Sequence, residues 1–220
     1  MPVQQSPIIK IGILISGRGS NMLALANEVN RGRIAGAQIA LVISDHSTAA
    51  GLQGAKELGL KTLVVERNRR SREEHDRETV AALREHQVDI VCLAGYMRLL
   101  SSYFIDAYRH RILNIHPSLL PAFPGLDVHR QVIDHGVKWT GCTVHFVDET
   151  LDGGPIIAQR TVPVLDEDSE DTLAARILEQ EHHVYPEALA LIVSGNYEIV
   201  GRRVMGTDGA RNGALVSDTL

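Results

Sequence analysis

The sequence predicts an α/β fold: a single doubly wound, mostly parallel sheet of Rossmann-like type with an antiparallel hairpin at its edge. Short β-branched runs alternate with helical patterns through the first two-thirds of the chain, the signature of βαβ units. A glycine-rich turn joins the first strand to the first helix, and Ile90 to Ala94 is apolar throughout, as a central strand buried on both faces requires.

The elements follow in order. Ile8 to Ile15 is an apolar strand broken only by Lys10 and Gly12, and Met22 to Val29 reads as the helix after the turn. Ile39 to Ile43 is the second strand, Ala49 to Leu58 a helix closed by Gly59, and Thr62 to Val65 the third strand. Ser71 and Glu74 fit a capping box that opens a helix running to about His86. Arg111 to Ile115 is a short fifth strand running into Pro117. Three prolines and a glycine between Pro117 and Gly125 exclude a regular element there. Thr140 to Val147 and Pro155 to Val162 form the expected hairpin, and a helix from about Glu170 to Val193 contains Pro186 and ends at Gly195. Residues 1–205 are expected to form one domain and 206–220 a loose tail, small and polar from Asp208.

Composition removes several function classes. With 22 basic against 27 acidic residues the formal charge is −5, which argues against a dedicated nucleic-acid partner. No apolar stretch approaches the ~20 residues of a membrane span, and the N-terminus lacks the pattern of a signal peptide. Cys92 and Cys142 form neither a disulfide framework nor a metal spacing, so a reducing, cytoplasmic setting is expected. The histidines form no metal motif, and His182 and His183 are adjacent on one helix, so no metal cofactor is expected.

Ser16-Gly17-Arg18-Gly19-Ser20-Asn21, between a strand and a helix start, has the form of an anion site. Gly17 and Gly19 let the backbone approach a phosphate, Ser20 and Asn21 add donors, and Arg18 adds charge nearby. Met22 occupies the third glycine position of the dinucleotide fingerprint, and no Gly-Lys-Ser/Thr follows, so neither that fingerprint nor a P-loop is present. The plainer alternative is a tight turn without a ligand.

Asn114 and His116 lie two apart at a strand end, hence on one face, where parallel α/β sheets carry their sites. An amide donor beside an imidazole suits a developing oxyanion and a proton transfer. Alone, the pair is better explained by capping of backbone groups at the strand end. Leu151-Asp152-Gly153-Gly154-Pro155 adds a carboxylate held by a turn, able to orient His116, although an Asx turn serving the hairpin is the competing reading. His145, between Val144 and Phe146, reads as a hydrogen-bonded core histidine. Glu181 falls on the apolar stripe of the last helix and must meet a cation there, a substrate amine or a protein arginine. Met97, Leu99 and Leu100 either line an apolar pocket with Arg98 at its rim or are ordinary packing beside a surface arginine. Arg72 at a helix start opposes the dipole, which suggests an anionic ligand.

ISGRGSNM (15–22), LAGYMRLLS (93–101), NIHPSLLPAFPG (114–125) and HFVDETLDGGPIIAQ (145–159) together resemble the phosphoribosylglycinamide formyltransferase family over about residues 8–200. The resemblance implies a folate-dependent enzyme of purine synthesis with Asn114, His116 and Asp152 as its catalytic trio. It also implies that Gly19, Ser20 and Asn21 hold the acceptor phosphate and Glu181 its glycinamide part. Arg72, Met97, Arg98, Leu99, Leu100, Asn114 and the Asp148 to Asp152 loop would contact 10-formyltetrahydrofolate, the co-substrate. The expected partners are small molecules, without nucleic acid or membrane, on a monomer or homodimer. Rival readings are another folate formyl enzyme such as a formyltetrahydrofolate deformylase or a methionyl-tRNA formyltransferase, both disfavoured by length. A non-catalytic phosphoribosyl-binding module and a nicotinamide oxidoreductase with Asp45 reading the ribose are the others.

Overall fold

The structure, a computed structural model, describes residues 7–207. The chain divides into two compact units, Met1–Tyr108 and Arg109–Leu220.

The first unit alternates strand and helix: β1 (Ile9–Ile15), α1 (Ser20–Asn30), β2 (Ala37–Ser44), α2 (Ala50–Glu57), β3 (Thr62–Val64), α3 (Arg72–Glu85), β4 (Ile90–Leu93) and α4 (Ser102–Ala107). Its strands run parallel in the order β3-β2-β1-β4. Consecutive residues Ile13, Leu14 and Ile15 are all fully buried, so β1 is covered on both faces, as its unbroken apolar run requires. Each such side chain contributes roughly 1.5–3 kcal/mol by leaving water. Gly12 interrupts that run for a packing reason: a Cβ there would lie 2.6 Å from Leu83 Cδ2 and 3.0 Å from Val88 Cγ1. The expected capping box is present, with Ser71 Oγ accepting from the Glu74 amide (3.2 Å) and Glu74 Oε2 from the Ser71 amide (2.8 Å). Helix α2 ends in a Schellman motif, in which Gly59 donates to Lys56 O (2.9 Å) and Leu60 to Ala55 O (3.0 Å). The short α4, capped by Ser101, is an addition to the expected elements.

The second unit holds β5 (Ile112–His116), α5 (Val128–Asp134), β6 (Trp139–Phe146), β7 (Ile156–Pro163), α6 (Glu170–Ser194), β8 (Tyr197–Val200) and β9 (Arg203–Gly206), with strand order β5-β6-β7-β9-β8. Strands β6 and β7 form the expected antiparallel hairpin, but β7 is not the outermost strand. Ile156 bridges to Arg203 of β9, which carries β8 antiparallel beside it. Gly206 is the last residue of β9, and the rest of the tail expected over 206–220 lies, from residue 208, outside the described residues. Helix α6 buries Leu173, Ile177, Glu181, Val184, Ala188, Leu189 and Ile192 along one stripe, and Tyr185 donates to the Leu113 carbonyl (3.0 Å). That bond and the stripe fix α6 against β5, the strand that carries the candidate site.

Candidate active site

The antiparallel pairing of β5 and β6 builds the centre of the site. Asn114 lies opposite His145 and His116 opposite Thr143, so two residues two apart on each strand share one face. His145 is the buried, hydrogen-bonded histidine expected, and the pairing also sets it against Asn114. The β6–β7 register slips between Val144 and His145, a bulge of the kind that re-aims a side chain. Its ring is buried, yet Nε2 lies 3.3 Å from Asn114 Nδ2 and 3.9 Å from Asp152 Oδ1. The Nδ1–H donates to the Phe146 carbonyl (2.8 Å). Burial holds this imidazole below the usual histidine range, against the opposing pull of that carbonyl and the Asp152 charge. A neutral ring with its hydrogen on Nδ1 presents a lone pair at Nε2. The Asn114 amide donates one hydrogen to it and keeps the second for another acceptor. Spatial pairing of Thr-x-His with Asn-x-His was the available signal for His145.

His116 is anchored in the opposite sense. Its Nε2 lies 2.8 Å from the Phe123 carbonyl, which accepts its hydrogen, and Nδ1 faces Asp152 Oδ2 at 3.6 Å. The Phe123 carbonyl sits in the proline-rich segment, which has no helix or strand, as expected. A chain of buried hydrogen bonds fixes that segment. Ser118 Oγ donates to Ala122 O (2.6 Å), and Thr143 Oγ1 donates to Ser118 O (2.7 Å) and accepts from the Leu120 amide (3.0 Å). Gln159 Nε2 donates to Leu120 O and to Thr143 Oγ1, both at 2.9 Å.

Asp152 stands between the two rings. Its Oδ2 accepts from the Gly125 amide at 2.8 Å, so the carboxylate also ties the turn after β6 to the proline-rich segment. The residue has a positive φ of 49°, a left-handed conformation costly for any residue with a Cβ. A Cβ on Gly154 would fall 1.9 Å from the Phe146 carbonyl oxygen, so only glycine lets this turn close on β6. Asp148 accepts from the Thr150 amide (2.8 Å) and shapes the start of the same turn. Asn114, His116, Asp152 and Asp148 are thus brought to one end of the second unit, joined by His145. Glu181 is buried on α6, and its charge, after burial, helps push the Cys142 thiol up to about 12.

The first unit carries the other expected positions. Gly19 caps α1 with φ of 74°, a conformation natural to glycine, and no side chain caps the helix. Ser20 and Asn21 occupy its first two positions. Ser16 Oγ accepts from the Met97 amide (2.9 Å), fixing the glycine-rich turn to the segment after β4. Met97 and Leu99 are 64% and 54% exposed, whereas Leu100 is buried. Met97 and Leu99 thus form exposed apolar surface where an apolar pocket or ordinary packing was the expectation. The Arg98 Nε is buried and has no hydrogen-bond partner among the described residues. Arg72 is exposed at the first turn of α3. Asp45 is fully buried and paired with Arg67, so it is not presented to a ribose as the nicotinamide reading needs.

The formyl transferase family profile matches residues 9–189. Phosphoribosylglycinamide formyltransferase of Escherichia coli (strain K12) is 42% identical over 192 residues, 87% of this chain and 90% of that protein. The trifunctional purine biosynthetic protein adenosine-3 of Drosophila melanogaster is 47% identical over 189 residues, 84% of this chain but only 14% of that protein's length. A solved structure of glycinamide ribonucleotide transformylase 1 from Symbiobacterium toebii is 48% identical, with a TM-score of 0.90 over 93% of this chain and 96% of that one. A likeness of this extent bears out the expected α/β fold with its mostly parallel sheet. Profile, sequence and structure agree, and the chain belongs to the formyl transferase family.

Proposed function

We propose that this chain transfers the formyl group of 10-formyltetrahydrofolate to the glycinamide amine of 5′-phosphoribosylglycinamide, as a phosphoribosylglycinamide formyltransferase of purine synthesis. The observation that carries the reading is the cluster at the end of β5: one carboxylate between two imidazoles, with an amide whose second hydrogen is uncommitted. The acceptor amine attacks the formyl carbon, and the Asn114 amide donates to the oxyanion that forms. Such a donor supplies about 10²–10³ in rate. His116 acts through Nδ1, because Nε2 is committed to Phe123. The proton lost by the amine passes to Nδ1 beside the Asp152 carboxylate and on to folate N10 as the C–N10 bond breaks, a transfer worth about 10²–10⁴.

In this reading Gly19, Ser20 and Asn21 hold the acceptor phosphate at the α1 N-terminus, and Glu181 binds its ammonium or amide end. The folate surface is formed by Met97, Arg98, Leu99, Leu100 and Arg72, with Asp148 and the turn to Asp152. The exposed Met97 and Leu99 suit an aromatic ring system, and the partnerless buried Nε of Arg98 suits a carboxylate or ring acceptor. No step is routed through a metal.

The test is formyl loss from 10-formyltetrahydrofolate with and without phosphoribosylglycinamide. Loss only with the acceptor, at the rate of product formation, is the expected result. Equal loss without it would make the chain a deformylase, and no loss would leave a phosphoribosyl-binding module.

A further inference from the structure

We infer that Gly51, in the first turn of α2, is a positioning residue for the phosphate turn, through which α2 sets the aim of the Gly17 to Asn21 amides. The inference rests on the reading of that turn as the phosphate site.

The two backbones touch. The Gly51 amide donates to the Gly17 carbonyl at 3.0 Å, and a Cβ on Gly19 would lie 2.7 Å from Gly51 Cα. A Cβ on Gly51 would lie 2.7 Å from Ile15 Cδ1, 3.0 Å from Gly19 Cα and 3.2 Å from the Gly17 carbonyl oxygen. Ile15 is fully buried, and the other two neighbours are main chain of the turn itself. Gly51 has ordinary helical geometry, so nothing in its own backbone demands glycine. Alanine is the better helix former there. What opposes it is Ile15 Cδ1 together with the turn: a methyl group at this position lies close enough to Gly19 Cα and the Gly17 carbonyl that these must give by a few tenths of an ångström.

That displacement falls on the amides that converge on an anion at the start of α1. Misplacement of about 1 Å can cost a hundredfold, so a shift of a few tenths is expected to weaken phosphate binding about tenfold. The catalytic residues of the second unit do not enter. The acceptor KM should rise with kcat changed less than about threefold, and the KM for the formyl donor should not move.

Gly54 is the matched control. It lies in the same helix, gains the same helix propensity on conversion to alanine, and a Cβ there meets only the flexible Leu23 side chain at 3.1 Å. Inorganic phosphate is titrated into the parent, Gly51→Ala and Gly54→Ala while the backbone amide NMR signals of Gly19, Ser20 and Asn21 are followed. The acceptor and donor KM values are measured alongside. The expected result is saturable shifts in the parent, unchanged affinity in Gly54→Ala, and affinity about tenfold weaker in Gly51→Ala with a matching rise in acceptor KM alone. Should Gly51→Ala fail to fold, the double variant Ile15→Val with Gly51→Ala removes the contact at Cδ1 and keeps those with the turn, and Ile15→Val alone is its reference. Equal phosphate affinity in Gly51→Ala and the parent overturns the role of Gly51 while leaving the phosphate turn in place. Absence of any shift in the parent overturns both.

Discussion

Replacing Asp152 by asparagine removes one charge and little else. The asparagine carbonyl can still accept from the Gly125 amide, which Asp152 Oδ2 now does at 2.8 Å, so the turn keeps its tie to the proline-rich segment. What disappears is the attraction for a proton arriving on His116 Nδ1, 3.6 Å away. Both side chains are almost fully shielded, at 6% and 11% exposure, so solvent screening is weak. At an effective dielectric near 20, charges at that separation attract by about 4–5 kcal/mol. At 1.36 kcal/mol per tenfold, that is on the order of 10³ in turnover. With its carbonyl kept on the Gly125 amide, the new NH₂ group takes the Oδ1 position on the His145 side, and the oxygen left near His116 Nδ1 carries no charge to hold the proton. Steady-state turnover from pH 5.5 to 8.5, with the melting temperature of each protein, reads the outcome. Turnover within threefold of the parent, with melting unchanged, refutes the role given to Asp152.

Thr143→Val leaves the buried Leu120 amide and Ser118 carbonyl without their partner and should cost about 1–3 kcal/mol, whereas Thr143→Ser should retain both bonds. Denaturant melts check this, and equal stability of the two variants speaks against the network. Arg98→Ala should raise the KM for 10-formyltetrahydrofolate about tenfold and leave the acceptor KM alone, as steady-state kinetics with each substrate varied will test. Burial holds His145, His129 and His182 below the usual histidine range. Below about pH 6.5 the unfolded chain therefore takes up protons that the native state refuses, and stability must fall as pH drops through that value. The lowered carboxylates, Glu74 among them, act in a separate window below their ordinary 4.5. Melting temperatures at pH 7.5 and 5.5 decide it, and a higher value at 5.5 would contradict the assignment.

Signals confined to a few neighbouring residues were legible. The Ser71–Glu74 box and the glycine ends of α2 and α6 are local chemistry and stand where expected. Asn114 and His116 share a face because strand period alone decides it. Elements that depend on tertiary support were missed. Helix α5 has seven residues and starts from Asp127 in a left-handed conformation without a side-chain cap, so no local signature announces it. Strands β8 and β9 alternate weakly around Gly201 and join the sheet through a single bridging pair. His145 is the buried, hydrogen-bonded histidine expected, but the facing of its ring toward Asn114 and Asp152 depends on a bulge defined by the partner strand. The commitment of His116 Nε2 to Phe123 depends on a loop whose path Thr143 and Gln159 determine from elsewhere in the chain.

The left-handed backbone at Asp152 carries a consequence for anyone who breeds this protein for robustness. Glycine at position 152 would ease the backbone, but it would leave the Gly125 amide without the carboxylate that accepts from it at 2.8 Å, so survival to heat would gain little. The same exchange deletes the carboxylate between the two imidazoles. Durability and activity thus lean on one acid at this site, and a screen for either keeps it in place.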